Sequence, residues 1–324
     1  MKVVRRLAAA ATLMPLVVAL VPAPLPAAAT TRRYLSAVLV PLPPPAPLVP
    51  FDPAAGTDQG RWHPAGRLVA GHPAVYEATL TVPGTGEQAG FAWMDPRLLR
   101  AQLYSGSGSP GGYGWRLTAP VSPGAARALV AAFNGGFKFP YAQGGYYAEG
   151  KLAYPLRPGG ASLVIYRNGD ATVGAWGRDV NWSNQVIAIR QNLTLLVDEG
   201  HAVGGLNPYD TSNWGATLGG IPNVWRSGIG VTRDGALVYV YGPDLEITQL
   251  AALLVRARTV RAMTLDMNPY WTVFVTYKSP SGAPASPANG GSLLPGTIQG
   301  PATFFEPWWN RDFFTMSARL GSAR

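Results

Sequence analysis

Two carboxylates directly follow apolar runs that are typical of buried strands, where a rigid scaffold most often presents reactive side chains. Asp266 follows residues 260–265, and Asp198 follows residues 193–197. A single carboxylate in such a position can activate a water molecule or stabilise a cationic reaction centre. A structural role is the alternative for each: Asp266 as a cap of the turn before Asn268, and Asp198 as part of an exposed turn.

Two further segments carry groups that suit a phosphate or a sugar. Arg226, followed by Ser227, precedes an apolar strand, and a guanidinium matches a phosphate through two parallel hydrogen bonds. Asn134-Gly135-Gly136 follows another apolar run, and its glycines favour close approach of backbone N–H groups to a ligand or an anion. A surface role for Arg226 and an ordinary turn at Asn134 are the alternatives.

The composition excludes several kinds of chemistry. The 324 residues include no Cys and three His, which excludes thiolate zinc sites and cysteine nucleophiles and leaves few members for a multi-His metal centre. The net charge of +9 comes without a Lys/Arg cluster or recognition helix, and so favours anionic sugar polymers over nucleic acid. We expect no cofactor; a divalent cation held by Asp198 or Asp266 with a substrate phosphate stays open.

The N-terminus has the pattern of a secretory signal. Lys2, Arg5 and Arg6 form a positively charged start, residues 7–21 are apolar, and residues 27–29 form a small-residue cleavage site. We therefore expect residues 1–29 to be a signal peptide and the protein to be secreted or otherwise outside the cytoplasm. An uncleaved segment that tethers the chain to a membrane is the alternative, because a second apolar piece follows at 34–40.

The rest of the chain divides into a linker and one domain. Residues 30–60 are a proline-rich linker, and within them residues 41–50 predict an extended polyproline-type spacer. Residues 61–324 contain many short apolar runs separated by Gly and Pro, with one clear helix from the N-cap Asp244 to about Arg258. This pattern predicts an α+β fold, a single strand-rich domain with a mixed sheet and a few helices.

The order and spacing of these segments resemble the phosphodiester glycosidase family from about residue 75 to the C-terminus. Asn134-Gly-Gly-Phe137 is similar to the family's Asn-Gly-Gly-Phe-Phe, and Leu195-Leu-Val-Asp198 is similar to its apolar strand that closes on Asp-Gly. Arg226-Ser-Gly-Ile-Gly230, followed by Asp234-Gly235, is similar to its Arg-Thr/Ser-Ala-Ile-Gly before an Asp-Gly turn. Residues 61–324 thus resemble a divergent phosphodiester glycosidase domain.

The fourth motif departs from the family pattern. Leu265-Asp266-Met-Asn-Pro-Tyr270 stands where the family carries Leu-Asp-Gly-Gly-Gly-Ser, so the acid is retained while the glycines are replaced. Met267 and Pro269 bring side chains to a place that the family keeps open. This leaves a changed substrate and a loss of catalysis as alternatives, and Asn268, which offers a new polar contact, favours the changed substrate.

The resemblance implies an exported hydrolase that cleaves a glycosyl phosphodiester at the anomeric carbon, in an envelope sugar-phosphate polymer. A phosphate monoester is a good leaving group, so one carboxylate and one cation suffice for catalysis. The resemblance gives these roles to Asp266 and Arg226. The expected substrate-binding residues are Asn134, Gly135, Gly136, Asp198, Ser227 and Asn268. The expected partner is a carbohydrate phosphodiester or an anionic glycopolymer.

A non-catalytic carbohydrate-binding or cell-wall-associated protein on the same fold is the alternative function. The segment 304–314 is densely aromatic, and we expect most of it to lie in the core. In the alternative function, Trp308 and Trp309 supply faces on which sugars stack.

Overall fold

A computed structural model describes residues 39–54, 56–279 and 282–319. The predicted signal peptide and the first part of the predicted linker lie outside the described residues. None of the helices in the described ranges is long and apolar enough to cross a membrane.

Strands dominate the described residues, and helices are few. The strands are β1 (His63–Val69), β2 (His72–Thr81), β3 (Gln88–Met94), β4 (Leu99–Tyr104), β5 (Leu129–Asn134), β6 (Tyr146–Ala148), β7 (Lys151–Tyr154), β8 (Ala161–Tyr166), β9 (Ala171–Ala175), β10 (Val186–Gln191), β11 (Leu195–Asp198), β12 (His201–Ala202), β13 (Val224–Thr232), β14 (Leu237–Leu245), β15 (Thr259–Met267), β16 (Phe274–Tyr277), β17 (Gly290–Ser292) and β18 (Phe313–Ala318). The α-helices are α1 (Pro123–Ala126), α2 (Thr211–Trp214) and α3 (Ile247–Arg256), and short 3-10 helices span Leu218–Gly220, Pro287–Asn289 and Thr303–Phe305.

The strands form three sheets. The first has the order β1-β2-β3-β14-β13-β15-β11-β12, the second β7-β6-β10-β8-β9, and the third β17-β16-β5-β18-β4. The predicted strand-rich α+β domain is confirmed. The sheets differ from the expected mixed sheet because every ladder between two of the described strands is antiparallel.

The strand–helix–strand unit around α3 explains that difference. β14 and β15 both pair antiparallel with β13, so they point in the same direction while β13 lies between them. Helix α3 crosses over that middle strand and buries Leu250, Leu253 and Leu254. Gly228 of β13 makes room for the helix, since a Cβ there would lie 3.0 Å from the Leu254 side chain. Gly228 therefore serves helix packing, whereas Gly230 makes room for Thr259 and Ala262 of the neighbouring strand β15.

Helix α3 begins two residues later than the sequence predicts. Strand β14 continues to Leu245, so Asp244 is part of the strand, with a positive φ of 50°. Glu246 is the N-cap, and it forms a capping box with Gln249, whose side chain accepts the Glu246 N–H at 2.8 Å.

Part of the predicted polyproline-type spacer packs against the rest of the described chain. Leu42 and Leu48 are buried in a cluster that includes the apolar face of α3. The Leu42 N–H donates to Asp95 Oδ2 at 2.7 Å, and the Leu48 N–H donates to the Gly60 carbonyl at 2.9 Å. The leucines between the prolines thus hold the segment against the domain, because leaving them in water would forgo their hydrophobic stabilisation.

Replacing Leu48 by Ala tests this packing. Leu48 is 4% exposed whereas its neighbour Val49 is 66% exposed. We expect Leu48→Ala to lower the free energy of unfolding by about 2–4 kcal/mol, because it leaves a cavity. Val49→Ala, the matched control, is expected to change it by less than about 0.5 kcal/mol. Urea denaturation followed by Trp fluorescence measures both, and equal small effects would show that the segment is a free spacer.

Candidate active site

Asp266 forms an ion pair with Arg311 at the edge of the core. The carboxylate Oδ2 accepts from Arg311 Nη2, and Oδ1 accepts the Met267 N–H at 2.9 Å. Asp266 is the penultimate residue of β15, and its own N–H donates to the Gly135 carbonyl at 2.9 Å. The strand ladder and the guanidinium together fix the position of the carboxylate.

A second ion pair lies close enough for its charges to act on Asp266. Arg190 Nε, from β10, donates to Asp312 Oδ2 at 2.8 Å, and neither side chain is exposed. The Ser109 hydroxyl donates to Asp312 Oδ1 at 3.0 Å. Because Arg311 and Asp312 are adjacent in the chain just before β18, the two pairs form one cluster that joins all three sheets. We call Arg190, Asp266, Arg311 and Asp312 the charge cluster.

Within the charge cluster, one pair is slightly exposed whereas the other is fully enclosed. Asp266 is 6% exposed and Arg311 is 8% exposed, whereas Arg190 is fully buried. Burial raises the pKa of Asp266 to about 6, although the positive charge of Arg311 opposes the rise. Asp266 is therefore mostly ionised at neutral pH and takes up a proton near pH 6, which suits a general base.

Asn134 and Ser227 support Asp266 through its backbone. Asn134 Oδ1 accepts from the Tyr239 hydroxyl at 2.6 Å and from the Val273 N–H at 3.1 Å. Asn134 Nδ2 donates to Ser227 Oγ at 3.0 Å, and that hydroxyl donates to the Asp266 carbonyl at 2.6 Å. The structure therefore places both predicted substrate-binding side chains in a buried network that positions Asp266, and not in contact with an open surface.

The predicted ligand-binding glycines also have a packing role. A Cβ at Gly135 would lie 2.0 Å from Asp312 Oδ2, and a Cβ at Gly136 would lie 2.8 Å from Asn192 Oδ1 and 2.9 Å from Arg190 Cζ. The Gly135 N–H is used by the Asp312 carbonyl at 3.0 Å. Only glycine lets the chain after β5 approach the charge cluster this closely. These glycines were expected to let the backbone contact a ligand. They instead let it pack against Asp312 and Arg190 of the charge cluster.

Arg226 does not take the predicted position as a phosphate ligand. Its side chain is 1% exposed, with Nε donating to the Leu245 carbonyl at 2.8 Å and Nη2 to the Pro222 carbonyl at 3.0 Å. Burial lowers its pKa to about 10. The Arg226 backbone lies opposite Met267, next to Asp266 in the chain, but the guanidinium points to the junction of β14 and α3. The ion-pair partner of Asp266 is Arg311 instead.

Asp198 lies at the far end of β15 from Asp266. Its neighbour Val197 pairs with Ala262, four residues before Asp266, which is roughly 13 Å along the strand. Asp198 forms an ion pair with Arg178 at 2.7 Å. It is therefore outside the candidate site.

Asn268 is a turn residue. Its side-chain Oδ1 accepts the Tyr270 N–H at 3.1 Å, and its φ of 72° lies in the left-handed region that Asn tolerates. Its backbone N–H donates to the Trp225 carbonyl at 2.7 Å. The predicted polar contact with a substrate is thus replaced by a contact that closes the turn after β15.

Arg190, Arg311 and Asp312 were absent from the residues predicted to form the site. Arg311 and Asp312 lie inside the aromatic segment 304–314, where Phe313 and the residues after it are buried as expected. The signal for them is the placement of two adjacent charges within a run of core aromatics, because such charges need buried partners.

Aromatic side chains adjoin the Asp266–Arg311 pair. The Arg311 guanidinium lies 4.6 Å from the Trp271 ring centre, and the Trp271 ring lies 5.7 Å from that of Trp309. Trp309 is buried, but Trp308 is 57% exposed and Tyr270 is 54% exposed. We call Tyr270, Trp271 and Trp308 the aromatic rim. Such faces bind the apolar sides of sugar rings, and one of them also holds the cation.

The surroundings of Asp266 do not fit a metal ion. Among the described residues, no group of three or more His, Asp or Glu side chains is arranged to bind one. The charges that act on Asp266 are those of Arg311, Asp312 and Arg190, two of them cations, whereas hard divalent ions need several oxygen ligands.

Known proteins offer distant structural similarity. No family model and no curated protein matches this sequence. The auto-inhibited catalytic domain of zebrafish N-acetylglucosamine-1-phosphodiester alpha-N-acetylglucosaminidase matches with a TM-score of 0.47 and 15% identity, over 80% of this chain and 88% of that one. A hypothetical protein from Synechocystis matches with a TM-score of 0.41 and 12% identity, over 77% of this chain and 63% of that one. Both likenesses are distant, so the function is inferred from the site itself.

Removing one buried charge tests the structural part of the cluster. Arg190→Met leaves Asp312 as an unpaired buried carboxylate, and we expect the free energy of unfolding to fall by about 3–5 kcal/mol. Arg178→Met is the matched control, because its side chain is 57% exposed and its two partners, Asp179 and Asp198, keep a second cation in Arg261. The control is expected to lose less than about 1 kcal/mol. Urea denaturation compares the two, and similar losses would contradict a special role for the buried pair.

Proposed function

We propose that this protein hydrolyses a glycosyl phosphodiester at the anomeric carbon, with Asp266 as the catalytic carboxylate and Arg311 as the phosphate-binding cation. The observation that carries the proposal is the Asp266–Arg311 pair, the one part of the buried charge cluster that keeps some exposure. It joins a carboxylate of raised pKa, a guanidinium and the aromatic rim.

Arg311 has hydrogen-bond donors left for a phosphate. Its Nη2 donates to Asp266 and, at 3.4 Å, to the Gly136 carbonyl, while its buried Nε has no hydrogen-bond partner in the described chain. A guanidinium offers five N–H groups in a fork that fits two phosphate oxygens. A phosphodiester bound to the remaining N–H groups of the guanidinium would compete with Asp266 and loosen the hold of Arg311 on it.

The reaction needs few groups because the leaving group is good. Asp266 removes a proton from a water molecule, whose oxygen forms a bond to the anomeric carbon. The bond from that carbon to the phosphate oxygen breaks, and its electron pair leaves with the phosphate monoester, whose negative charge Arg311 stabilises. No second carboxylate is needed to protonate the leaving group.

The aromatic rim is suited to hold the sugar. Trp308 and Tyr270 are exposed, whereas Met267, which replaces the first family glycine, is 5% exposed and lies against Phe137 and Gly215. The replacement of the family glycines thus supports an altered sugar site with Asp266 retained. The secretory pattern of residues 2–29 supports an exported enzyme that acts on a sugar-phosphate polymer of the cell envelope.

A non-catalytic carbohydrate-binding protein is the second candidate. The observation that favours it is that Asp266 and Arg311 bind each other, which leaves the aromatic rim as the most exposed part of the site. This function predicts binding of polysaccharide that Trp308→Ala abolishes and Asp266→Asn leaves unchanged, without release of any product.

Asp266→Asn tests the proposed reaction. We expect the variant to lose at least about 100-fold in kcat on a panel of hexose 1-phosphodiesters, because the general base is gone. Asp198→Asn, at the far end of β15, is the matched control and is expected to keep kcat within about twofold. Release of reducing sugar and of phosphate monoester measures the reaction, and near-ultraviolet circular dichroism checks that each variant is folded. Absence of turnover by the wild type on every substrate, or equal turnover by folded Asp266→Asn, would contradict the proposal.

The pH profile gives an independent check. The base acts in its ionised form and its pKa is raised to about 6, so activity is lost as the pH falls through that value. We expect kcat/KM to be level above about pH 7 and to fall roughly tenfold per pH unit below about pH 6. If kcat/KM stays flat between pH 5 and pH 7 while the enzyme remains folded over that range, another group is the base.

A further inference from the structure

A second candidate binding site lies on another face of the described structure. Two cavities of about 370 Å³ and 470 Å³ share Arg100, Gln102 and Arg167 in their linings, so they adjoin each other at these three residues. Arg100 and Gln102 point to the same exposed side of strand β4, and Arg167 follows β8. We call this the arginine groove.

The arginine groove carries an excess of positive charge. Arg116 and Arg319 complete a set of four lining arginines, and Glu149 is the carboxylate among the lining residues. The Glu149 carboxylate accepts the backbone N–H groups of Arg116 and Leu117 at 2.8 Å and 2.7 Å. Arg319 is paired with Asp170. Two of the four cations are therefore already compensated in part.

Arg100 and Arg167 are the cations left for a ligand. Among the described residues, no carboxylate forms a salt bridge with either of them. The Arg167 guanidinium donates to the Asn184 carbonyl at 3.2 Å and is otherwise exposed. Two exposed guanidinium groups on one groove match successive anionic groups of a chain molecule.

Protection of a sheet edge does not account for this arrangement. Strand β4 is the edge of the third sheet, and charged side chains on an edge strand prevent pairing with other chains. That role concerns Arg100 alone. Arg167 comes from the hairpin between β8 and β9, and Arg116 comes from the loop after β4, yet both line the same groove.

We infer that the arginine groove binds a linear phosphodiester-linked polyol or sugar polymer. Gln102, Asn168 and Ser317 line the groove beside the arginines and can hydrogen-bond to hydroxyl groups between the phosphates. Tyr147 is the aromatic residue among the lining residues, so the groove lacks the row of stacking faces that bases need. The chemistry thus favours a polymer without bases over a nucleic acid.

The groove is separate from the Asp266 site. Arg100 pairs with Ser317 on β18, five residues after Asp312 of the charge cluster, which is roughly 17 Å along the strand. The inference concerns binding and stands whether or not Asp266 hydrolyses a substrate.

A binding experiment with matched variants tests the arginine groove. The probe is a fluorescently labelled poly(glycerol phosphate) of defined length, and its anisotropy is followed as the full protein is added. In Arg100→Gln/Arg167→Gln we expect the Kd to rise at least about tenfold and the slope of log Kd against log salt to fall by about 1–2. The control Arg61→Gln/Arg233→Gln removes the same charge from exposed residues elsewhere, and its Kd is expected to change less than about twofold.

Three results would overturn the inference. They are absence of binding by the wild type, equal weakening in both double variants, and tighter binding of a single-stranded oligonucleotide with the same number of phosphates. Turnover of a short hexose 1-phosphodiester by Arg100→Gln/Arg167→Gln is measured in parallel and is expected to match the wild type. A failure at the arginine groove is therefore distinguishable from a failure of the proposed hydrolysis.

Discussion

Four charges in the interior form the constraint on which the rest of the structure depends. Arg190 belongs to the second sheet, Asp266 to the first, and Arg311-Asp312 leads into the third. Each buried charge needs its partner, since an uncompensated ion in the core costs several kcal/mol. The three sheets therefore fit together in the one arrangement that pairs all four groups. Gly135 follows from the same constraint, because a side chain at this position, directly after β5, would collide with the Asp312 carboxylate.

This constraint also explains the chemistry at Asp266. The Arg311 guanidinium binds the carboxylate. The Ser227 hydroxyl donates to the Asp266 carbonyl, and Asn134 donates to that hydroxyl. Burial raises its pKa to about 6, and protonation therefore favours the folded chain; this stabilisation is lost as the pH rises through that value. The folded chain is thus less stable with Asp266 ionised, the form that catalysis needs, than with Asp266 protonated. Such a cost in stability is common at catalytic sites.

The sequence predicts local structure better than it predicts which distant side chains pair with each other. Strand patterns gave the strand-rich fold, and the apolar run before Asp266 correctly placed a carboxylate at a strand end, because both follow from short-range periodicity. Arg311 lies 45 residues from Asp266, and Arg190 lies 122 residues from Asp312, so no local pattern joins them. Arg226 shows the same limit: its strand was predicted, but the direction of its guanidinium depends on where α3 packs.

A crystal structure of Asp266→Asn with a hexose 1-phosphodiester bound would show directly which residues hold the substrate. Catalysis by the Asp266–Arg311 pair predicts phosphate oxygens within about 3 Å of the Arg311 guanidinium and the sugar against Trp308 or Tyr270. It also predicts the anomeric carbon beside residue 266, with room for one water molecule. A phosphate bound at Arg226, or a sugar bound far from residue 266, would contradict the assignment of catalysis to the Asp266–Arg311 pair.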